Sequence, residues 1–122
     1  MLRPPPRRGE IWLAYTPNQP DDPHQPRPVL IVSSDGRNWN TDDVIAVPIF
    51  RNRRLGPTRV AISAGVGGLV YDSVLTCEEI ITLRHDFLER GPLGPPAPGP
   101  LLDQVVRAIR RAVGEIVPET AP

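Results

Sequence analysis

Pro26-Arg27-Pro28-Val29-Leu30-Ile31-Val32-Ser33 is the stretch on which the reading of this chain turns. Val29 to Val32 run apolar without alternation, as a strand covered on both faces does. Pro28 biases Arg27 toward an extended backbone, so the strand opens on a cation fixed at its mouth. A guanidinium held there keeps its charge at any working pH and grips a phosphate through two parallel donors. Taken alone, the same residues also fit an ordinary surface arginine beside a turn.

On the N-terminal side, residues 16–26 hold four prolines and two aspartates and read as a loop. It is long for a hairpin, and long ordered loops tend to carry function. Glu10 to Tyr15 precede it as a first strand, and residues 1–8 read as a flexible, polyproline-like arm. On the C-terminal side, residues 35–41 form a turn with room for one turn of helix. Asp43 to Phe50 make a third strand, in which Pro48 marks an edge or a bulge because it cannot donate to a ladder. Arg51 to Pro57 are a basic turn. Thr58 to Ser63 alternate as a half-buried strand, and Ser73 to Cys77 make a fifth. Glu79 to Arg84 are a short sixth strand or the continuation of the fifth past a bulge. Asp86 to Arg90 read as one helical turn.

Residues 91–100 carry five Pro and three Gly and exclude a regular element. Apolar residues then recur at helical spacing from Leu101 to Ile116. Gly99 and Pro100 suit the start of this helix and Pro118 its end. Short strands followed by one terminal helix predict a mainly β, α+β domain over residues 9–117. Its expected form is a small twisted antiparallel barrel with the helix against it, and residues 118–122 are read as a flexible tail.

Composition narrows the chemistry. The chain has 122 residues, enough for one core. Fourteen basic residues, all Arg, balance fourteen acidic ones, so any polyanion must be met by a local patch. Without lysine, a Schiff base, a lysine nucleophile and a P-loop are excluded. Cys77 is the only cysteine, which excludes an internal disulfide and reads as a small core residue of a chain kept in a reducing, cytoplasmic compartment. His24 and His85 are far apart and lack metal-ligand spacing, so no metal or other cofactor is expected. The start of the chain is not a signal peptide, and no run approaches a membrane span.

Few groups remain for a reaction. His24 lies three residues before Arg27, in the long loop. Ser33 and Ser34 lack a nucleophile elbow. Glu78 and Glu79 would serve as acid or base if brought next to Arg27, and otherwise read as a solvated turn pair. Arg51, Arg53 and Arg54 beside Phe50 fit either a solvated tip or a patch that takes phosphates and stacks a base.

Several stretches resemble the MazF/PemK/Kid toxin family. They are Arg8-Gly9-Glu10-Ile11-Trp12-Leu13, the Arg27 stretch, Val44-Ile45-Ala46-Val47-Pro48-Ile49, and Asp72 to Leu83. The resemblance runs in order from about residue 8 to residue 117, with the terminal helix included. It implies an SH3-like barrel, a homodimer and a type II toxin–antitoxin system with a MazE-like antitoxin, any DNA contact being made through that antitoxin. It also implies metal-independent cleavage of single-stranded RNA, by attack of a 2′-hydroxyl on the adjacent phosphate. Arg27 matches the family's arginine on the phosphate, and Glu78 takes the position of a carboxylate proposed as base. His24, Phe50, Arg51, Arg53, Arg54 and Glu79 become candidate RNA contacts. The sequence departs from the pattern at Phe50, where the family commonly has Thr or Ser. Phenylalanine neither donates nor accepts a hydrogen bond, so a weakened or inactive member that binds an antitoxin or gyrase is the alternative.

Overall fold

The computed structural model describes residues 4–118. In chain order the elements are β1 (Ile11–Ala14), β2 (Arg27–Ile31), α1 (Asp35–Asn40), β3 (Asp43–Phe50), β4 (Arg59–Ile62), β5 (Ser73–Thr76), β6 (Ile81–Arg84), β7 (Leu88–Arg90) and α2 (Gly99–Ala112). The sheet runs β4-β5-β3-β2-β1-β7, with β6 paired to β3 beside that path, and each pairing is antiparallel. It is the open, twisted, barrel-like sheet with a C-terminal helix that the strand pattern predicts.

The unbroken apolar run in β2 has a direct cause. Leu30 packs into a cluster with Ile11, Val47, Leu75 and the helix residues Leu102 and Val105. Its neighbours Val29 and Ile31 face the other way, into a cluster with Trp12, Val44, Ala46 and Leu83. Each face of the strand meets a core of its own, and all three residues are fully buried. Pro48 sits at a change of partners in β3. The register with β6 ends at Ala46 and the register with β5 begins at Ile49, so the missing donor falls at the corner where the sheet splits.

Three boundaries differ from the sequence reading. Leu88–Arg90 is a strand on β1 rather than part of a helical turn, and only His85–Phe87 turn helically before it. Cys77–Glu79 form a 3-10 turn, so β6 starts later than Glu79. Helix α2 ends at Ala112, well before Pro118. Gly114 takes φ 99° there and donates to the Arg111 carbonyl, leaving Val113 and Ile116 exposed.

In the expected N-terminal arm, residues 7 and 8 are tied down. Arg7 N–H donates to Glu10 Oε1 at 2.8 Å, and Arg8 N–H donates to Asp35 Oδ1 at 2.7 Å. Residues 1–3 of that arm and 119–122 of the expected tail lie outside the described residues. Cys77 is fully buried, and burial pushes its thiol up to about 12, which leaves it protonated and inert. No helix among the described residues is long and apolar enough to cross a membrane.

Candidate functional site

Arg27 opens β2 opposite Ala14 of β1, with 7 % of its surface exposed. Burying a guanidinium requires partners for its donors. Nε donates to Asp22 Oδ2 at 2.6 Å and Nη2 to Asp22 Oδ1 at 2.8 Å, a bidentate pair closed by the preceding loop folding back on the strand it feeds. Nη1 donates to the Ile49 carbonyl at 2.9 Å. Each terminal nitrogen keeps one N–H with no partner among the described residues. The Arg27 hydrogen bonds hold the Asp22 carboxyl below its ordinary value against the opposing effect of burial, and the His24 backbone N–H assists.

Phe50 supports this arrangement from β3. The guanidinium carbons of Arg27 and Arg53 each lie 4.0 Å from its ring centroid. Arg53 also reaches Glu79 Oε2 at 3.4 Å, and Glu79 Oε1 accepts from Gln19 Nε2 at 2.8 Å. Loop, β3 and the turn before β6 are thereby joined around one patch of cations.

Two clefts meet at Arg27, Phe50 and Arg53. The larger, about 620 Å³, is lined by those residues with His24, Arg51, Tyr71 and Arg90, and no Asp or Glu among the described residues lines it. The smaller, about 420 Å³, is walled by the loop from Asn18 to Asp22. Thus a chain of zero net charge carries a concave surface with four arginines and a histidine. Such a surface takes an anion with an extended, stackable body.

The sequence candidates divide between this site and other places. Arg27, His24, Phe50, Arg51 and Arg53 come together at the larger cleft. Glu79 stands behind them, on Arg53 and Gln19. Arg54 lines neither cleft, and its carbonyl accepts from Arg59 Nη1 at 3.2 Å.

Glu78 is not beside Arg27. Its carboxylate accepts from Arg59 Nε at 2.9 Å and Thr58 Oγ1 at 3.0 Å. Arg59 lines a separate groove of about 600 Å³ against α2. Partial burial pushes the Glu78 carboxyl up, but hydrogen bonds from Arg59, its own backbone and Thr58 together outweigh that and hold it below its ordinary value. The expected pairing with Arg27 fails because a nearer arginine on β4 claims this carboxylate.

The carboxylate on Arg27 is Asp22. The sequence held one signal for it, an acidic residue in a loop obliged to return to the strand that Arg27 begins. Arg90 reaches the cleft through the pairing of β7 with β1 and Tyr71 on the turn that leads into β5, and neither carried a local signal.

Comparison with known proteins agrees with the fold. A model of the family described as PemK-like, MazF-like toxin of type II toxin-antitoxin system matches residues 7–116. No curated protein sequence matches the chain. Among solved structures, one described as an endoribonuclease in complex with its cognate antitoxin from Mycobacterial species is 28% identical, with a TM-score of 0.74 over 93% of this chain and 99% of its own. An endoribonuclease from Mycobacterial species is 27% identical, with a TM-score of 0.75 over 97% of this chain and 100% of its own. The Mycobacterium tuberculosis toxin MazF-mt6 is 25% identical, with a TM-score of 0.71 over 85% of this chain and 95% of its own.

Proposed function

Because this chain belongs to the PemK-like, MazF-like toxins of type II toxin–antitoxin systems, we propose that it is a metal-independent endoribonuclease acting on single-stranded RNA in the cytoplasm. The observation that carries the proposal is the larger cleft, lined by four arginines and one histidine, in which the Arg27 guanidinium keeps unused donors beyond those bound by Asp22 and the Ile49 carbonyl. The reaction is internal to the substrate. A ribose 2′-hydroxyl attacks the adjacent phosphorus, the bond to the next 5′-oxygen breaks, and a cyclic phosphate and a free 5′-hydroxyl result. The protein has to place the phosphate, stabilise the charge that builds on it and move two protons.

Arg27 supplies the donors to the phosphate, and Asp22 sets the plane of its fork. This gives Asp22 the place beside Arg27 that the sequence reading assigned to Glu78. His24, lining the same cleft, supplies proton transfer through its imidazole. Arg51 and Arg53 hold flanking phosphates. The working unit is a homodimer, and an acidic antitoxin segment covers the arginine cleft to silence it.

The test is cleavage of a long RNA in the presence of chelator. Arg27→Ala should slow it about a hundredfold or more. Arg27→Lys keeps the charge without the fork, and should fall nearly as far while staying folded. Equal fragments from wild type and both variants would reject the assignment.

One observation favours a second reading. Phe50 follows the Val47-Pro48-Ile49 run and fills, with a ring 9 % exposed, the position where a hydroxyl is expected. A chain impaired in this way would act as an antitoxin- or gyrase-binding module. Gain of cleavage by Phe50→Thr from a silent parent would select that reading, and cleavage by the wild type would dismiss it.

A further inference from the structure

We infer that Tyr71, together with Arg51, is the platform on which one nucleobase of the RNA stacks, next to the phosphate at Arg27. The inference rests on the ribonucleolytic reading and adds to it the contact that seats one nucleotide beside the reacting phosphate.

Two aromatic rings line the larger cleft. Phe50 is 9 % exposed and already has two guanidiniums against it, so it offers a base no surface. Tyr71 is 52 % exposed and has one, Arg51, 3.7 Å from its centroid. A half-wet ring inside a cationic cleft gains by covering itself with another π face, and any base supplies one. Arg51 forms no ion pair among the described residues, which leaves its charge for the phosphate of the stacked nucleotide. A cleft of about 620 Å³ accommodates both that nucleotide and the phosphate at Arg27.

The backbone beneath the ring is fixed in place. Ser73 Oγ donates to the Tyr71 carbonyl at 2.8 Å, and Ala64 N–H donates to Asp72 Oδ1 at 2.8 Å. Gly65 N–H donates to the Leu69 carbonyl at 2.7 Å, closing the turn that precedes the ring. Gly68 lies so close to Leu93 that a Cβ would come within 2.2 Å of its carbonyl oxygen. A ring held this way needs little further ordering to receive a base.

The experiment measures binding of short RNA oligonucleotides, made non-cleavable by a single 2′-deoxy sugar, to wild type, Tyr71→Phe and Tyr71→Ala. Each position is tested with its base and as an abasic site. At one position beside the deoxy sugar, loss of the base should weaken binding about tenfold in wild type and Tyr71→Phe, and hardly at all in Tyr71→Ala. An abasic penalty that is equal in wild type and Tyr71→Ala overturns the inference, as does a wild type that binds none of the oligonucleotides. Because these oligonucleotides are never cut, the outcome is independent of the cleavage assay. Cleavage lost in Arg27→Lys with no role for Tyr71 leaves the ribonuclease standing without this platform. A base-dependent signal through Tyr71 with no cleavage by the wild type leaves the platform on a non-catalytic RNA binder.

Discussion

At the scale of single residues, the pair between Arg27 and Asp22 organises the site. Both side chains are 8 % exposed, so removing either partner strands a charge out of water. Arg27→Ala should therefore cost about 3–5 kcal/mol of stability in addition to activity, read by denaturant unfolding. The pH dependence follows from the lowered Asp22 carboxyl. A group whose folded value lies below its unfolded one stabilises fully above the unfolded value, about 3.9, and loses that contribution as pH falls through the folded value. Asp22→Asn should flatten the loss of stability on acidification below about pH 4. Glu78, lowered in the same sense by Arg59, should preserve part of that acid limb in the variant. Glu78→Gln should change RNA cleavage by less than about threefold, because its carboxylate serves Arg59 rather than Arg27. A hundredfold loss in that variant would return Glu78 to the reaction.

Among the elements, two glycine turns decide how the barrel closes and how the helix stops. At Gly68, with φ 86°, an added Cβ meets the Leu93 backbone, so Gly68→Ala should destabilise by about 3 kcal/mol and loosen the turn that carries Tyr71. At Gly114, with φ 99°, nothing stands within 4 Å, so Gly114→Ala should cost only the left-handed penalty of about 1–2 kcal/mol. Thermal melts of the two variants test that difference in cause. Strand β2 was legible because both faces of its apolar run are buried, and no alternation was needed to place it. The end of α2 was harder to read. Its apolar spacing continues through Val113 and Ile116, but a left-handed glycine ends the helix first.

Across the whole molecule, zero formal charge coexists with an arginine-lined cleft. Binding of single-stranded RNA should weaken by about twentyfold between about 50 and about 200 mM salt, as expected when roughly three phosphates are neutralised. A salt-insensitive affinity would show that the arginines do not contact phosphate. Sedimentation at micromolar concentration should find the dimer proposed as the working unit, and monomers alone would refute it.

From the residues in order one reads the barrel-forming strands, the terminal helix, the buried cysteine and the place of Arg27 at the mouth of β2. Each of these depends on local backbone preference or on which faces of an element are apolar. Partnership around the guanidinium depends instead on distance through space. Asp22 reaches Arg27 by the return of a loop, Glu78 is diverted by an arginine on a neighbouring strand, and Tyr71 enters the cleft on a turn held by Leu93. No periodicity encodes such meetings, because they are settled only when the sheet closes and competing charges find their nearest opposites.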